Sequence, residues 1–249
     1  MLPADMVRQI RYYLPNPEYA TFSRITKGYN VPLLKEERLY RLYHDKRLAD
    51  LARLGDLTGV RYLVETGADI HTNDDEALSV ASLRGHLDIV SYLVENGADI
   101  HAKNDEALLL ASAYGHLDIV RYLVEHDANV RAGDDHAIRL ASAYGHLDIV
   151  RYLVENGANV RAHNDYALRW ASRNGHIEIV RYLVENGANI RAEYDEALRM
   201  AAAGGYLDIV RYLVENGAYI SKNEALRLAL RSALKYRHVN VAHYLRSLL

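Results

Sequence analysis

An all-α solenoid of paired antiparallel helices is the fold this sequence predicts, and three observations predict it. A thirty-residue unit recurs, as in DEALLLASAYGHLDIVRYLVEHDANVRAGD over 105–134 and DHAIRLASAYGHLDIVRYLVENGANVRAHN over 135–164. Within the unit, apolar residues return at helical spacing. Landmarks keep one register: Asp75, Asp105, Asp135, Asp165 and Asp195, and likewise Gly85, Gly115, Gly145, Gly175 and Gly205. Self-similarity at this period describes units that bury an apolar face only against their neighbours. Such arrays present a surface, so binding is the default function.

Each unit divides into two helices. Ala107, Leu108, Leu110 and Ala111 mark the first, with Gly115 as its stop. Leu117, Ile119, Val120, Leu123 and Val124 give the second a broad apolar stripe. Asp118 and its equivalents Asp88, Asp148, Glu178 and Asp208 stand in the first turn of that helix, where a carboxylate meets the positive helix end. Asn-Gly at 96–97, 156–157, 186–187 and 216–217 closes it, because glycine enters the left-handed region without steric cost. Asp127 takes that glycine's place in one unit.

GHLDIVRYLVENGADI, iterated, resembles the second helix and following turn of the ankyrin repeat, and ALLLASAYG resembles its first helix. The likeness covers roughly residues 45–249. The usual ankyrin unit has about 33 residues and opens its first helix with Thr-Pro-Leu-His. Here the unit is shorter and the tetrapeptide becomes Glu106-Ala107-Leu108-Leu109 or Tyr166-Ala167-Leu168-Arg169. The resemblance therefore implies an ankyrin-repeat solenoid with shortened inter-repeat fingers and little or no strand, with Asp105 and its copies as helix N-caps. About seven units are expected. The first (45–74) and the last (223–249) are irregular, as suits terminal units. The short, regular variety is similar to ankyrin proteins of giant amoeba-infecting DNA viruses.

Residues 1–44 do not fit the repeat. They hold all four prolines, Pro3, Pro15, Pro17 and Pro32, and the chain's one phenylalanine, Phe22. This stretch resembles an F-box: Leu2, Pro3, Asp5, Met6, Val7, Ile10, Leu14, Ile25 and Thr26 match its pattern. Tyr29 stands where tryptophan is common, and Pro32 interrupts the third helix. The resemblance implies that Leu2, Pro3, Met6, Val7, Ile10, Leu14 and Ile25 dock the linker subunit of a cullin-type ubiquitin ligase. The other reading is an N-terminal helical cap on the solenoid.

Composition removes several classes. The net charge of -3 gives no general reason to expect nucleic acid. Absence of cysteine excludes disulfides, thiolate catalysis and cysteine-zinc sites. No apolar run approaches eighteen residues, so no membrane partner is expected. An intracellular, cytoplasmic protein is expected, in a host cytoplasm if viral, with the nucleus also open to it.

Motifs that imitate chemistry belong to the repeat. Histidines 86, 116, 146 and 176 cannot share a metal ion, because successive units stack on the order of 10 Å apart. They read as polar caps of the second helix. Ser112 with His116 and its copies lacks an orienting acid and an oxyanion site. No enzyme and no cofactor are expected. Arg121, Arg151, Arg181 and Arg211, each with glutamate four residues on, read as a solvated back face, beside a stacked ladder of Tyr122, Tyr152, Tyr182 and Tyr212.

Two further arginine series stand out: His71, His101, Arg131, Arg161, Arg191, and Ser79, Leu109, Arg139, Arg169, Arg199. They read either as inter-repeat partners of Asp135, Asp165 and Asp195 or as a basic stripe for an acidic partner. The copies differ most just before the glycine and in the finger. The ankyrin resemblance implies that these slots line a concave face. Arg84, Tyr114, Tyr144, Tyr166, Arg173, Asn174 and Tyr194 are thus the expected partner-binding residues, since tyrosine and arginine dominate interface hot spots. Trp170 shares a slot with Leu110, Leu140 and Met200 and reads as core. The function expected is an adaptor that recruits a target protein to a ubiquitin ligase. The alternative is a stand-alone scaffold that binds or sequesters a host or viral protein.

Overall fold

In a computed structural model of the chain, two units are distinguished, Met1–Asp45 and Lys46–Leu249. The structure describes residues 47–217 and 224–249. The F-box-like positions Leu2 to Ile25 lie outside the described residues. Within the described residues there are helices and no strand. The pairs are α1 (Leu48–Leu54) and α2 (Leu57–Glu65), α3 (Thr72–Arg84) and α4 (Leu87–Glu95), α5 (Ala102–Tyr114) and α6 (Leu117–Glu125), α7 (Ala132–Tyr144) and α8 (Leu147–Glu155). They continue with α9 (Ala162–Asn174) and α10 (Ile177–Glu185), α11 (Ala192–Gly204) and α12 (Leu207–Glu215), α13 (Glu224–Lys235) and α14 (Val239–Ser247).

Packing follows the apolar stripe. In the third repeat Leu108 and Ala111 of α5 meet Ile119, Val120 and Leu123 of α6, all buried to 1% exposure or less. Each large side chain removed from water in this way contributes about 1.5–3 kcal/mol. Small residues such as Ala107 and Ala111 let the first helices lie closely side by side, while the second helices stand further apart. The first-helix layer is therefore the inner side of the bend.

The repeat aspartates are not N-caps. Each is the last residue of a left-handed turn that replaces the finger: Asn73, Asp74 and Asp75 have φ of 56°, 55° and 57°. The same three-residue turn recurs at 103–105, 133–135, 163–165 and 193–195. Left-handed backbone costs roughly 1–2 kcal/mol per residue with a Cβ, least for Asn and Asp, and Asn, Asp or Gly fill most of these positions. The aspartate carboxylate turns away from its own helix. Asp75, Asp105, Asp135 and Asp165 accept from the backbone N–H of Asp99, Asn129, Asn159 and Asn189, at 3.0, 2.8, 2.6 and 2.6 Å. Residues 99, 129, 159 and 189 in turn accept from the N–H two residues on. Buried to 5% exposure or less, these carboxylates tie each repeat to the approach of the next.

The histidines make a second tie. They occupy the N-cap position of the second helix, yet their rings make no capping bond. Instead Nε2 of His116, His146 and His176 donates to the carbonyls of Leu83, Ala113 and Ala143, in the preceding repeat, at 3.1, 3.0 and 3.1 Å. The repeat glycine follows from this. A Cβ on Gly115 would lie 2.7 Å from Cε1 of His146, and its φ is +84°. Asp56, in the histidine slot of the first pair, does cap its helix, accepting from the Gly59 N–H at 3.0 Å.

On the outer side the tyrosines do not stack on one another but alternate with arginines. Arg61, Arg121, Arg151, Arg181 and Arg211 lie over Tyr92, Tyr152, Tyr182, Tyr212 and Tyr244 of the following repeat, 4.7–5.5 Å from the ring centroids. Cation–π contact, not the Arg–Glu pair within one helix, organises this face. Ser91 interrupts the series, and Tyr122 there stacks on His126 instead, at 4.0 Å.

Candidate functional site

Residues i, i+3, i+4 and i+7 of a first helix share one stripe, and on the inner face that stripe is half-buried or exposed except at Ala113 and Ala143. In α9 it reads Tyr166, Arg169, Trp170 and Arg173. In α7 it reads His136, Arg139, Leu140 and Ala143; in α11, Glu196, Arg199, Met200 and Ala203; in α5, Glu106, Leu109, Leu110 and Ala113. The stripe is thus largely aliphatic at α5, carries one arginine each at α7 and α11, and combines arginine with Tyr166 and Trp170 at α9.

Trp170 is not core. It is half-buried, like Leu110, Leu140 and Met200 in the same slot. Its ring stacks on Tyr166 at 5.4 Å, and the Arg173 guanidinium lies 4.8 Å from its centroid. Arg139 and Arg169 both lie against the Tyr166 ring, at 5.2 and 5.6 Å. Two rings therefore support three guanidinium groups. A guanidinium held by its face keeps the in-plane N–H donors available for a carboxylate. His136, next to Arg139, has its pKa lowered by burial first and then by Arg139 and His163.

The remaining expected contact residues divide by place. Tyr114 and Tyr144, exposed at 60% and 62%, end α5 and α7. Arg84 and Asn174 hold the corresponding exposed positions of α3 and α9. The Asn174 amide is already used within the array, donating to the Ala143 carbonyl at 2.7 Å. Tyr194, 78% exposed, sits in a left-handed turn and not on the helical stripe. Tyr166 gathers Arg139, Arg169 and Trp170, and Trp170 adds Arg173. The sequence offers the arginines as partners of the repeat aspartates or as a basic stripe, and places Trp170 inside. Its spacing from Tyr166 and Arg173, four and three residues, carried the signal.

The two arginine series separate. Arg131 pairs with Asp135 four residues on, at 3.6 Å, as His71 and His101 do with Asp75 and Asp105. Arg139, Arg169 and Arg199 instead donate through Nη2 to the carbonyl six residues back, Gly133, His163 and Glu193, at 3.0, 3.1 and 3.0 Å. Asp165 has its pKa raised by burial, against the Asn189 N–H and Arg161, which pull it down.

The Ser-His spacing of the repeat does not form a nucleophile-base pair among the described residues. Ser112, Ser142 and Ser172 are fully buried with Oγ unpartnered, and the neighbouring histidines point to another repeat. Among the described residues no cluster could hold a metal ion, and no helix is long and apolar enough to cross a membrane.

Comparison with known proteins accords with this architecture. Residues 48–134 and 132–194 match the family described as ankyrin repeats (3 copies), and residues 198–246 match ankyrin repeats (many copies). The crystal structure of the human ASB11 ankyrin repeat domain is similar, with a TM-score of 0.68 at 23% identity, covering 79% of this chain and 97% of that one. No curated protein matches the chain in sequence.

Proposed function

Because the chain belongs to the ankyrin-repeat family, we propose that it is a non-catalytic adaptor whose inner face holds a target protein. Residues 1–44 form its second part and dock the linker subunit of a cullin-type ubiquitin ligase. The observation that carries the reading is where the repeats differ. Positions that couple one repeat to the next hardly vary, whereas Tyr114, Tyr144, Tyr166, Arg173 and the arginine series vary and are partly or fully exposed on one side. Exposed aromatics beside arginines are the composition of interface hot spots. The docking half rests on the sequence of Leu2, Pro3, Met6, Val7, Ile10, Leu14 and Ile25.

A paired capture experiment tests both halves. The full-length chain should recover the ligase linker and a target, and a chain lacking residues 1–44 should recover the target alone. Replacing Tyr114, Tyr144 and Arg173 by alanine should abolish target capture and leave linker binding intact. Failure of the full-length chain to recover purified linker would remove the ligase half of the proposal.

A further inference from the structure

The geometry points to Arg139, Arg169 and Arg199 as the seat of an acidic segment of a partner protein, crossing repeats four to six in the polyproline II conformation with Asp or Glu at every third residue. The inference rests on the inner-face reading above and narrows it to a ligand chemistry. Each guanidinium is fixed by the same bond to the carbonyl six residues back. Each has its Nε buried without a partner, so the three heads are held at matching positions on successive helices. Arg139 and Arg169 are further supported by the Tyr166 ring.

Arg139 and Arg199 carry charge that no ion pair among the described residues neutralises, whereas Arg169 also acts on Asp165. Among the described residues, Arg169 alone of the three forms an ion pair, with Glu196 of the next repeat. Nearby acids are engaged elsewhere: Asp135 with Arg131 and the Asn159 N–H, Asp134 with His163, Glu193 with the Asn164 amide. Glu196 also shows which anion the row accepts, since a planar carboxylate already sits on its middle member. That favours Asp and Glu over the tetrahedral phosphates of a nucleic acid. With Nε buried and Nη2 on the carbonyl, each guanidinium offers its Nη1 edge to a carboxylate, as Arg169 does to Glu196.

Spacing then selects the backbone. Closely packed helices lie about 8–10 Å apart. Polyproline II advances about 3.1 Å per residue with three residues per turn, so residues three apart face one side about 9.3 Å apart. A β-strand places residues two apart on one face, about 6.6 Å apart, and does not match the repeat.

The test uses the full-length chain and synthetic peptides of one composition: acidic residues at every third position, or the same residues at every second. Fluorescence anisotropy should show the every-third peptide binding about tenfold more tightly, since it alone sets a carboxylate opposite each guanidinium in register. Arg139→Gln with Arg199→Gln should abolish the preference without lowering the melting temperature. If that double variant unfolds, Arg139→Lys with Arg199→Lys, which keeps charge but loses the fork, should lose the preference in its place. Glu196→Gln, which frees Arg169, should tighten the every-third peptide severalfold; a purely structural row predicts no gain. Equal affinity for the two peptides, no binding, or tighter binding of a single-stranded oligonucleotide of equal charge overturns the inference. If any of these occurs while the Tyr114/Tyr144/Arg173 variant still loses target capture, the acidic-segment inference fails and the inner-face reading stands.

Discussion

Replacing Ser142 by alanine should stabilise the protein, although it deletes a polar group from the packed centre of the array. Ser82, Ser112, Ser142 and Ser172 are each fully buried, and their hydroxyl oxygens have no hydrogen-bond partner. A hydroxyl taken out of water without a compensating bond costs about 1–3 kcal/mol. Alanine also ranks above serine in a helix interior, by up to roughly 0.5 kcal/mol. Against this stands only the loss of one oxygen's dispersion contacts, on the order of a few tenths of a kcal/mol. The slot accepts alanine, for Ala52 and Ala202 fill it in the first and sixth repeats at 0% exposure. The net expectation is a gain of about 1 kcal/mol, which shifts the melting temperature of an array this size upward by about 2–4 °C. Thermal and urea unfolding followed by far-ultraviolet circular dichroism would measure it. Repeat arrays unfold partly repeat by repeat, so amide exchange in α7 should slow as well. A fall in melting temperature on Ser142→Ala would refute the reasoning and mean that the hydroxyl is bonded in solution.

Three further outcomes are expected. Asp127, at φ +71° where other repeats place glycine, should give a gain of about 0.5–1 kcal/mol on Asp127→Gly, read as a higher melting temperature. Ser91→Arg should complete the outer arginine–tyrosine series over Tyr122 and add about 0.5–1 kcal/mol; a melting temperature unchanged within error would count against that ladder as a stabilising device. Asp165→Asn keeps an acceptor for the Asn189 N–H and removes a buried charge. Because the folded-state pKa of Asp165 is raised, the native protein binds the proton more tightly than the unfolded chain, and stability falls as pH rises from the ordinary aspartate value through the folded one. The advantage of Asp165→Asn over the parent should therefore grow across that window and level off above it, as parallel denaturant titrations at several pH values would show.

Much of this was legible because the unit repeats. Leu108, Ile119, Val120 and Leu123 keep the helical period, and Gly115 and the Asn-Gly pairs sit where helices stop, so the paired-helix solenoid could be read directly, while the shortened fingers followed from the ankyrin resemblance. The left-handed turns could not. A short polar run ending in aspartate reads equally as a loop with an N-cap, and Lys103, His163, Glu193 and Tyr194 are not residues that announce positive φ. The Asp and His side chains act across the stack, on Asn129 and Ala113, for example, so their partners lie 24 and 33 positions away and appear only when repeats are superposed in space. Trp170 was misplaced for a related reason: its neighbours in the slot are apolar, yet that slot borders the inner face and its faces are taken by Tyr166 and Arg173.

The central claim is that the partner sits on the inner face, in the slots where repeats differ. A photo-crosslinking residue placed at Tyr144 on the inner side, or at Glu125 on the outer side, tests it most directly once a captured target is in hand. The account predicts crosslinks to the target from position 144 and none from position 125. Crosslinks from position 125 alone would place the target on the convex side and contradict it.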